Sequence, residues 1–187
     1  EYYSRLYKTN NWRSTYIISV GIGQGELQLT TLQMANLAAI IANRGYYYTP
    51  HLLKRFSDSH LLIPENLRTK HIIPVDQKYF PPVIEGMELA VSSGTAKKGY
   101  YDQIVVCGKT GTSQNPHGED HSVFFGFAPK NNPRIALAVY IENAGWGGDV
   151  AAPVGSLMIE KYLQDSVSRK SLETKMIELK IKNKTRT

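Results

Sequence analysis

The chain has 187 residues, of which 42% are hydrophobic and 20% are charged. This length and composition are typical of one globular domain and exclude a disordered chain. No apolar run approaches the roughly 20 residues of a membrane-spanning helix, and the polar first residues are unlike a signal peptide. The sequence therefore predicts a soluble chain.

The net charge of +6 is concentrated near the C-terminus. Residues 169–187 carry seven basic and two acidic side chains, which leaves a net charge of only +1 on the other 168 residues. A nucleic-acid-binding face on the domain is therefore not expected. The pattern predicts a domain over residues 1–163 and a basic tail over residues 164–187. A short basic helix is marginal on its own, so we expect a solvated tail, with contact to a partner or a membrane surface as the alternative.

In the N-terminal part, residues 16–20 are mostly β-branched and predict a strand, which ends in a glycine-rich turn at residues 21–25. The turn has the spacing Gly-x-Gly-x-Gly, which is not that of a dinucleotide-binding loop. Thr30 and Gln33 have the spacing of a capping box, and Gly45 marks the end of the helix that follows. Because this helix is apolar on most sides, we expect it to be largely buried.

The rest of the chain predicts a sheet covered by helices. The proline pair at residues 81–82 and the single Pro153 are placed to open helices, and short polar connections separate the apolar strands. The predicted strands are residues 104–113, 122–128 and 135–142, and the predicted helices are residues 83–91 and 153–163. Three consecutive strands joined by short loops are antiparallel. The pattern therefore indicates an α+β fold, an α/β sandwich with an antiparallel sheet packed by helices.

The segment at residues 104–113, Ile-Val-Val-Cys-Gly-Lys-Thr-Gly-Thr-Ser, carries the clearest chemistry. Its first residues are β-branched, and its two glycines leave room for a ligand to approach the backbone. Lys109, Thr110 and Thr112 place one cation and two hydroxyls beside that opening. A cation neutralises a carboxylate, hydroxyls donate to it, and a free strand edge pairs with a peptide backbone. The segment therefore predicts a site for a peptide that ends in a carboxylate.

Five motifs occur in one order along the chain: Ile18-Ser-Val-Gly-Ile-Gly-Gln-Gly25, Gly94-Thr-Ala96, Gly108-Lys-Thr-Gly-Thr-Ser113, Phe125-Gly-Phe-Ala-Pro129 and Pro153-Val-Gly-Ser156. Lys-Thr-Gly is a signature of the penicillin-binding proteins and serine β-lactamases. With the other motifs, residues 17–163 resemble the C-terminal half of the transpeptidase domain of class B penicillin-binding proteins, most closely the elongation type. The resemblance implies a partial penicillin-binding, β-lactamase-like fold.

The resemblance also implies acyl transfer, in which a serine attacks the D-Ala-D-Ala bond of a peptidoglycan stem peptide and an amine of a neighbouring stem resolves the acyl-enzyme. β-Lactams would acylate the same serine. Lys109, Thr110, Gly111 and Thr112 would bind the substrate, with Lys109 near the general base and the Thr112 N–H as an oxyanion donor. The resemblance implies no cofactor. It places the parent protein on the periplasmic face of the bacterial inner membrane, held by an N-terminal anchor outside this sequence.

The nucleophile itself is missing from the sequence. None of the thirteen serines is followed three positions later by lysine, so the Ser-x-x-Lys of the family is absent. Thr95 and Lys98 have this spacing, but nothing around Thr95 indicates an activated hydroxyl. Ser113-Gln-Asn115 has the spacing of the family's Ser-x-Asn, but it overlaps the substrate strand. We therefore expect a fragment that is inactive alone and lacks the N-terminal part of the same protein. Apolar surface on the helix after Thr30 should then be exposed or covered by another segment.

A metal site, a reactive cysteine and two other functions were also weighed from the sequence. His117 and His121 have the spacing of metal ligands on a helix, but Pro116 and Gly118 favour a solvated loop, so no metal site is predicted. Cys107 has no neighbouring acid–base partner and is expected to be a buried structural thiol. A non-catalytic peptide- or partner-binding module of the same fold remains an alternative function. A β-lactamase is less favoured, because nothing indicates a deacylating water site.

Overall fold

The computed structural model describes residues 4–5, 8, 13–24, 27–54, 56–57 and 62–181. Within these residues the structure has the helices α1 Ser14–Gly21, α2 Thr31–Ala42, α3 Glu65–Arg68, α4 Phe80–Ser92, α5 Ala151–Gln164 and α6 Lys170–Ile177, and two short 3-10 helices at Gln77–Tyr79 and Lys97–Gly99. The strands are β1 Tyr46–Tyr48, β2 Lys70–Ile72, β3 Cys107–Ser113, β4 His121–Ala128 and β5 Ile135–Ile141. None of the described helices is both long and apolar enough to cross a bilayer.

The three long strands form one antiparallel sheet in the order β3-β4-β5, and β1 pairs with β2 in a separate small sheet. The register places Lys109 opposite Phe125 and Thr112 opposite Ser122. In the part of the chain that the structure describes, β3 therefore has a neighbouring strand on one side only. The predicted α+β class and the antiparallel order of the three strands are confirmed.

Helices cover both faces of this sheet, and the alternation of side chains along the strands decides which residues face which helix. Phe124 packs with α5 residues such as Ile159 in one buried cluster. Phe127 and Cys107 pack on the opposite face with Met87 of α4 and with the end of α2. The sheet is therefore the middle layer of a helix–sheet–helix sandwich, and β3 is held from behind by α4.

Helix α2 begins with the predicted capping box. The Gln33 N–H donates to Thr30 Oγ1 at 3.2 Å, and the Thr30 N–H donates to Gln33 Oε1 at 2.8 Å. The expectation that this helix is largely buried is wrong for this chain. Only Ala38 and Ala42 are buried, and Leu32 is 62% exposed, because only one side of the helix packs on the sheet. The alternative expectation, that apolar surface of this helix is left exposed, is confirmed.

Two strand predictions need correction. Residues 16–20 lie in helix α1, where local hydrogen bonds pair their backbone groups without a neighbouring strand. Strand β3 begins at Cys107 and not at residue 104, because its partner β4 ends at Ala128 and Pro129 has no N–H to continue the ladder. Gly25 of the predicted glycine turn lies outside the described residues, whereas Gly23 has the positive φ of a turn.

The segment after α5 is bound to the domain. Arg169 pairs with the buried carboxylate of Glu160 at 2.7 Å, and Val167 is also buried. Burial alone raises the pKa of Glu160, but hydrogen bonds from Ser168 and Arg169 outweigh burial and hold that pKa below its ordinary value. The first part of the predicted solvated tail is therefore packed structure, and the domain boundary at residue 163 stays a prediction.

Candidate functional site

A cavity of about 790 Å³ lies at the free edge of β3, and the predicted substrate-binding residues line it. Its floor is β3, one wall is the connection that leads from α1 to α2, and the other wall is the loop that follows β5. Lys109, Thr110, Gly111, Thr112 and Ser113 all line it. Apolar side chains complete the wall: Leu27, Leu29, Met34, Leu37, Val123, Phe125 and Tyr140.

Lys109 and Thr110 place a cation and a hydroxyl at the same point of the edge. Lys109 is exposed, and its Nζ donates to the carbonyl oxygen of Thr110 at 2.7 Å. Thr110 is only 9% exposed, and its hydroxyl shares a 2.7 Å hydrogen bond with the hydroxyl of Thr95. When Thr95 donates in this pair, the Thr110 proton is available to an anion in the cavity.

Thr112 is held by two segments that lie far from it in the sequence. Gln24 Nε2 donates to the Thr112 carbonyl oxygen at 3.0 Å, and the Gly147 N–H donates to Thr112 Oγ1 at 3.4 Å. A backbone N–H can only donate, so the hydroxyl of Thr112 accepts there and keeps its own proton for another acceptor. Both threonines can therefore present a hydroxyl proton to a bound carboxylate.

The loop after β5 closes on β3 because two of its residues are glycine. A Cβ on Gly147 would lie 2.2 Å from the Gly111 carbonyl oxygen, and one on Gly148 would lie 2.1 Å from the Thr95 carbonyl oxygen. The buried hydroxyl of Ser122 fixes the loop by donating to the Trp146 carbonyl oxygen at 3.0 Å. These contacts attach the loop to the sheet.

Trp146 belongs to the same loop and lines the cavity with its side chain 74% exposed. An exposed indole beside a cation and two hydroxyls gives the cavity mouth an apolar surface against which a ligand can pack.

The structure also shows the contacts of the residues for which other roles were weighed from the sequence. The hydroxyl of Thr95 bonds to Thr110, while Lys98 pairs with Asp149 at 2.8 Å, so these two do not form a nucleophile–base pair. His121 Nδ1 accepts from the Asn143 N–H at the start of β4. Cys107 is buried, as predicted, and burial raises its pKa to about 11, with a further increase from Glu88.

Three residues at the site were missed from the sequence: Gln24, Thr95 and Gly147. Gln24 lies inside a motif that was used only for the resemblance, Thr95 was otherwise considered only as a nucleophile, and no spacing rule connects either residue with β3. The pair Gly147-Gly148 was the available signal, because adjacent glycines indicate a close approach of two backbones.

The chain is similar to one family of known proteins. The family model for the penicillin binding protein transpeptidase domain matches residues 3–160. Peptidoglycan D,D-transpeptidase MrdA of Haemophilus influenzae is 32% identical to this chain. The alignment is 187 positions long, gaps included, and it covers 87% of this chain and 28% of that protein. The chain therefore spans only about a quarter of the length of the curated relatives it matches.

Solved structures of such enzymes share the fold. Pseudomonas aeruginosa PBP2 in complex with WCK 5153 is 33% identical with a TM-score of 0.71, covering 90% of this chain and 37% of that chain. The imipenem acyl-enzyme complex of penicillin-binding protein A from M. tuberculosis is 31% identical with a TM-score of 0.69, covering 81% and 35%. The predicted resemblance is confirmed, and the chain belongs to the family of the penicillin binding protein transpeptidase domain.

Proposed function

We propose that this chain forms the carboxylate-binding wall of a peptidoglycan D,D-transpeptidase site, with the stem peptide and β-lactams as ligands. The observation that carries the proposal is that Lys109, Thr110 and Thr112 line one cavity, at the edge of β3 that has no neighbouring strand among the described residues. Relatives named peptidoglycan D,D-transpeptidase and a neighbour solved as an imipenem acyl-enzyme support the reaction class and the β-lactam. The parent protein would act on the periplasmic face of the inner membrane.

The edge of β3 suits a carboxylate for an electrostatic reason. Lys109 supplies a positive charge, and its present partner is a neutral carbonyl oxygen. A carboxylate in the cavity would draw the Lys109 ammonium from that oxygen, because charge-assisted hydrogen bonds are roughly twice as strong as neutral ones. The hydroxyls of Thr110 and Thr112 would then donate to the two carboxylate oxygens, which fixes the end of the peptide.

The backbone of Thr112 supports a second role. In an antiparallel ladder the N–H and the carbonyl of one residue point to the same side. The Thr112 carbonyl accepts from Gln24, outside the ladder, so the Thr112 N–H faces the cavity edge as well. We propose that this N–H stabilises the oxyanion of an acyl-transfer step, where the loss of one donor in other enzymes costs about 2.7–4 kcal/mol of barrier.

A ligand-binding experiment tests the carboxylate wall. Nα,Nε-diacetyl-L-Lys-D-Ala-D-Ala is titrated into the ¹⁵N-labelled chain, and the expected result is a shift of the amide signals of residues 109–112. The variant Lys109→Met should weaken binding by about tenfold or more, since a hydrogen bond to a charged group contributes about 1.5–3 kcal/mol. The control Lys175→Met removes one charge from α6 and should leave binding unchanged. Equal binding by both variants would contradict the proposal.

The nucleophile is the other part of the proposal, and the sequence contains no Ser-x-x-Lys. We infer that the serine comes from residues outside these 187, so the chain alone forms no acyl-enzyme. Incubation with a fluorescent penicillin followed by denaturing electrophoresis and mass spectrometry should show no labelled band. A covalent adduct on any residue would refute this part.

The absent nucleophile also favours a second function, a non-catalytic module of the same fold that binds a peptide or a partner at the β3 edge. The two functions differ in one result. Joining the chain to the N-terminal half of a relative's transpeptidase domain should restore penicillin acylation if the site is catalytic, and it should not if the edge only binds.

A further inference from the structure

The edge of β3 that faces the cavity is already occupied by the protein's own side chains. Gln24 Nε2 donates to the Thr112 carbonyl oxygen at 3.0 Å, and Lys109 Nζ donates to the Thr110 carbonyl oxygen at 2.7 Å. Residues 110 and 112 are two positions apart on one strand, so both carbonyls point to the same side. These are the acceptors that an added peptide strand would use.

Gln24 differs from Lys109 in having no charge to offer a carboxylate. It comes from the connection between α1 and α2, 88 positions from Thr112, and it lines the cavity. Its nitrogen must face the carbonyl, because its oxygen would meet another acceptor. A side-chain amide N–H has the donor chemistry of a peptide N–H. In this structure Gln24 therefore occupies the position that a backbone donor of a bound peptide would take.

We propose that Gln24 is a placeholder for the substrate, which holds the Thr112 carbonyl until a backbone N–H of the stem peptide displaces it. The inference rests on the proposed function, because it requires the peptide carboxylate to lie at Thr110. An extended peptide advances about 3.3 Å per residue, as β3 does. A carboxylate at Thr110 therefore brings the N–H of the penultimate residue opposite Thr112.

The placeholder changes what the site recognises. A peptide that donates to Thr112 exchanges one hydrogen bond for another, so its net gain is small in the presence of Gln24. A ligand without that N–H cannot satisfy the Thr112 carbonyl, so Gln24 keeps its hydrogen bond to Thr112 while that ligand is bound. Gln24 is thus a specificity-determining residue that sets how much the penultimate N–H contributes to affinity.

The test uses two ligands and three forms of the whole chain, measured by isothermal titration calorimetry. The amide ligand is diacetyl-L-Lys-D-Ala-D-Ala, and in the ester ligand D-lactate replaces the penultimate D-Ala, so an oxygen replaces the N–H. Gln24→Met keeps the length of the side chain without its donor, and Gln28→Met is the control, because Gln28 is exposed near the end of the same connection. We expect Gln24→Met to bind the amide ligand about 2- to 12-fold more tightly, with no gain for the ester ligand.

The outcomes separate the two proposals. If Gln24→Met changes the affinity for both ligands by the same factor, or weakens the amide ligand alone, the placeholder is refuted while the carboxylate wall stands. If neither ligand binds to any form, the proposed function fails, and the placeholder fails with it. A gain confined to the amide ligand supports the inference, because a merely loosened cavity would change both affinities alike.

Discussion

Replacing Arg169 by Met should destabilise the whole domain, although this residue lies beyond the boundary that the sequence predicts at residue 163. Arg169 Nε donates to Glu160 Oε2 at 2.7 Å, and its Nη2 donates to Ser156 Oγ at 2.8 Å. Its guanidinium also lies 4.4 Å from the centre of the Tyr101 ring. Glu160 is fully buried, so the substitution leaves a buried carboxylate without its cation.

The size of the effect follows from this burial. Breaking a buried ion pair by removing one partner costs about 3–5 kcal/mol. Glu160 Oε1 keeps hydrogen bonds from the Ser168 N–H and hydroxyl, so we expect the lower end, about 3 kcal/mol. For a chain of this size each kcal/mol lowers Tm by about 2–4 °C, which gives a decrease of about 6–12 °C.

Urea unfolding followed by circular dichroism measures this cost, with thermal unfolding as a second readout. The control Lys175→Met alters an exposed side chain of the same segment and should stay within about 0.5 kcal/mol of the parent. The double variant Glu160→Leu with Arg169→Met should recover much of the loss, because no unpaired charge stays buried. If the segment after α5 were a solvated tail, Arg169→Met and Lys175→Met would be equally stable. That result would overturn the reasoning.

Three other predictions concern single contacts. Gly147→Ala should weaken binding of diacetyl-L-Lys-D-Ala-D-Ala by tenfold or more in calorimetry and cost about 1–3 kcal/mol of stability, because the added Cβ would lie 2.2 Å from the Gly111 carbonyl oxygen. Gly86→Ala, with nothing within 4 Å of its Cβ, is the matched control and should not weaken either property. Cys107 should resist iodoacetamide at pH 8 in the folded chain and react in urea, because burial raises its pKa to about 11; equal rates would contradict its burial. The pKa of Glu160 is lowered on folding, so its contribution to stability is present above its unfolded pKa of about 4.3 and lost as pH falls through the lower folded pKa. Glu160→Gln should therefore flatten the acid limb of a plot of unfolding free energy against pH, and an unchanged limb would contradict the assignment.

Local signals predicted several elements well. The capping box at Thr30 and Gln33 acts within one turn of helix, so its outcome depends little on the rest of the molecule. The order of β3, β4 and β5 followed from short connections, which leave antiparallel pairing as the simplest arrangement. Residues 16–20 show the limit of such signals. Their β-branched pattern indicates a strand, but no strand pairs with them among the described residues, and the segment is helical.

The sequence by itself determined the α+β class, the antiparallel strand order, the buried thiol at Cys107 and the group of Lys109, Thr110 and Thr112 on one strand. These depend on periodicity, turn chemistry and adjacency, which act over a few residues. Only the tertiary structure decided that Gln24 donates to Thr112, that the loop at Gly147 packs against β3 and that Arg169 binds the segment after α5 to Glu160. Those contacts join residues between 9 and 88 positions apart. Tertiary packing brings these residues together, and a pattern that extends over a few residues cannot predict which of them meet.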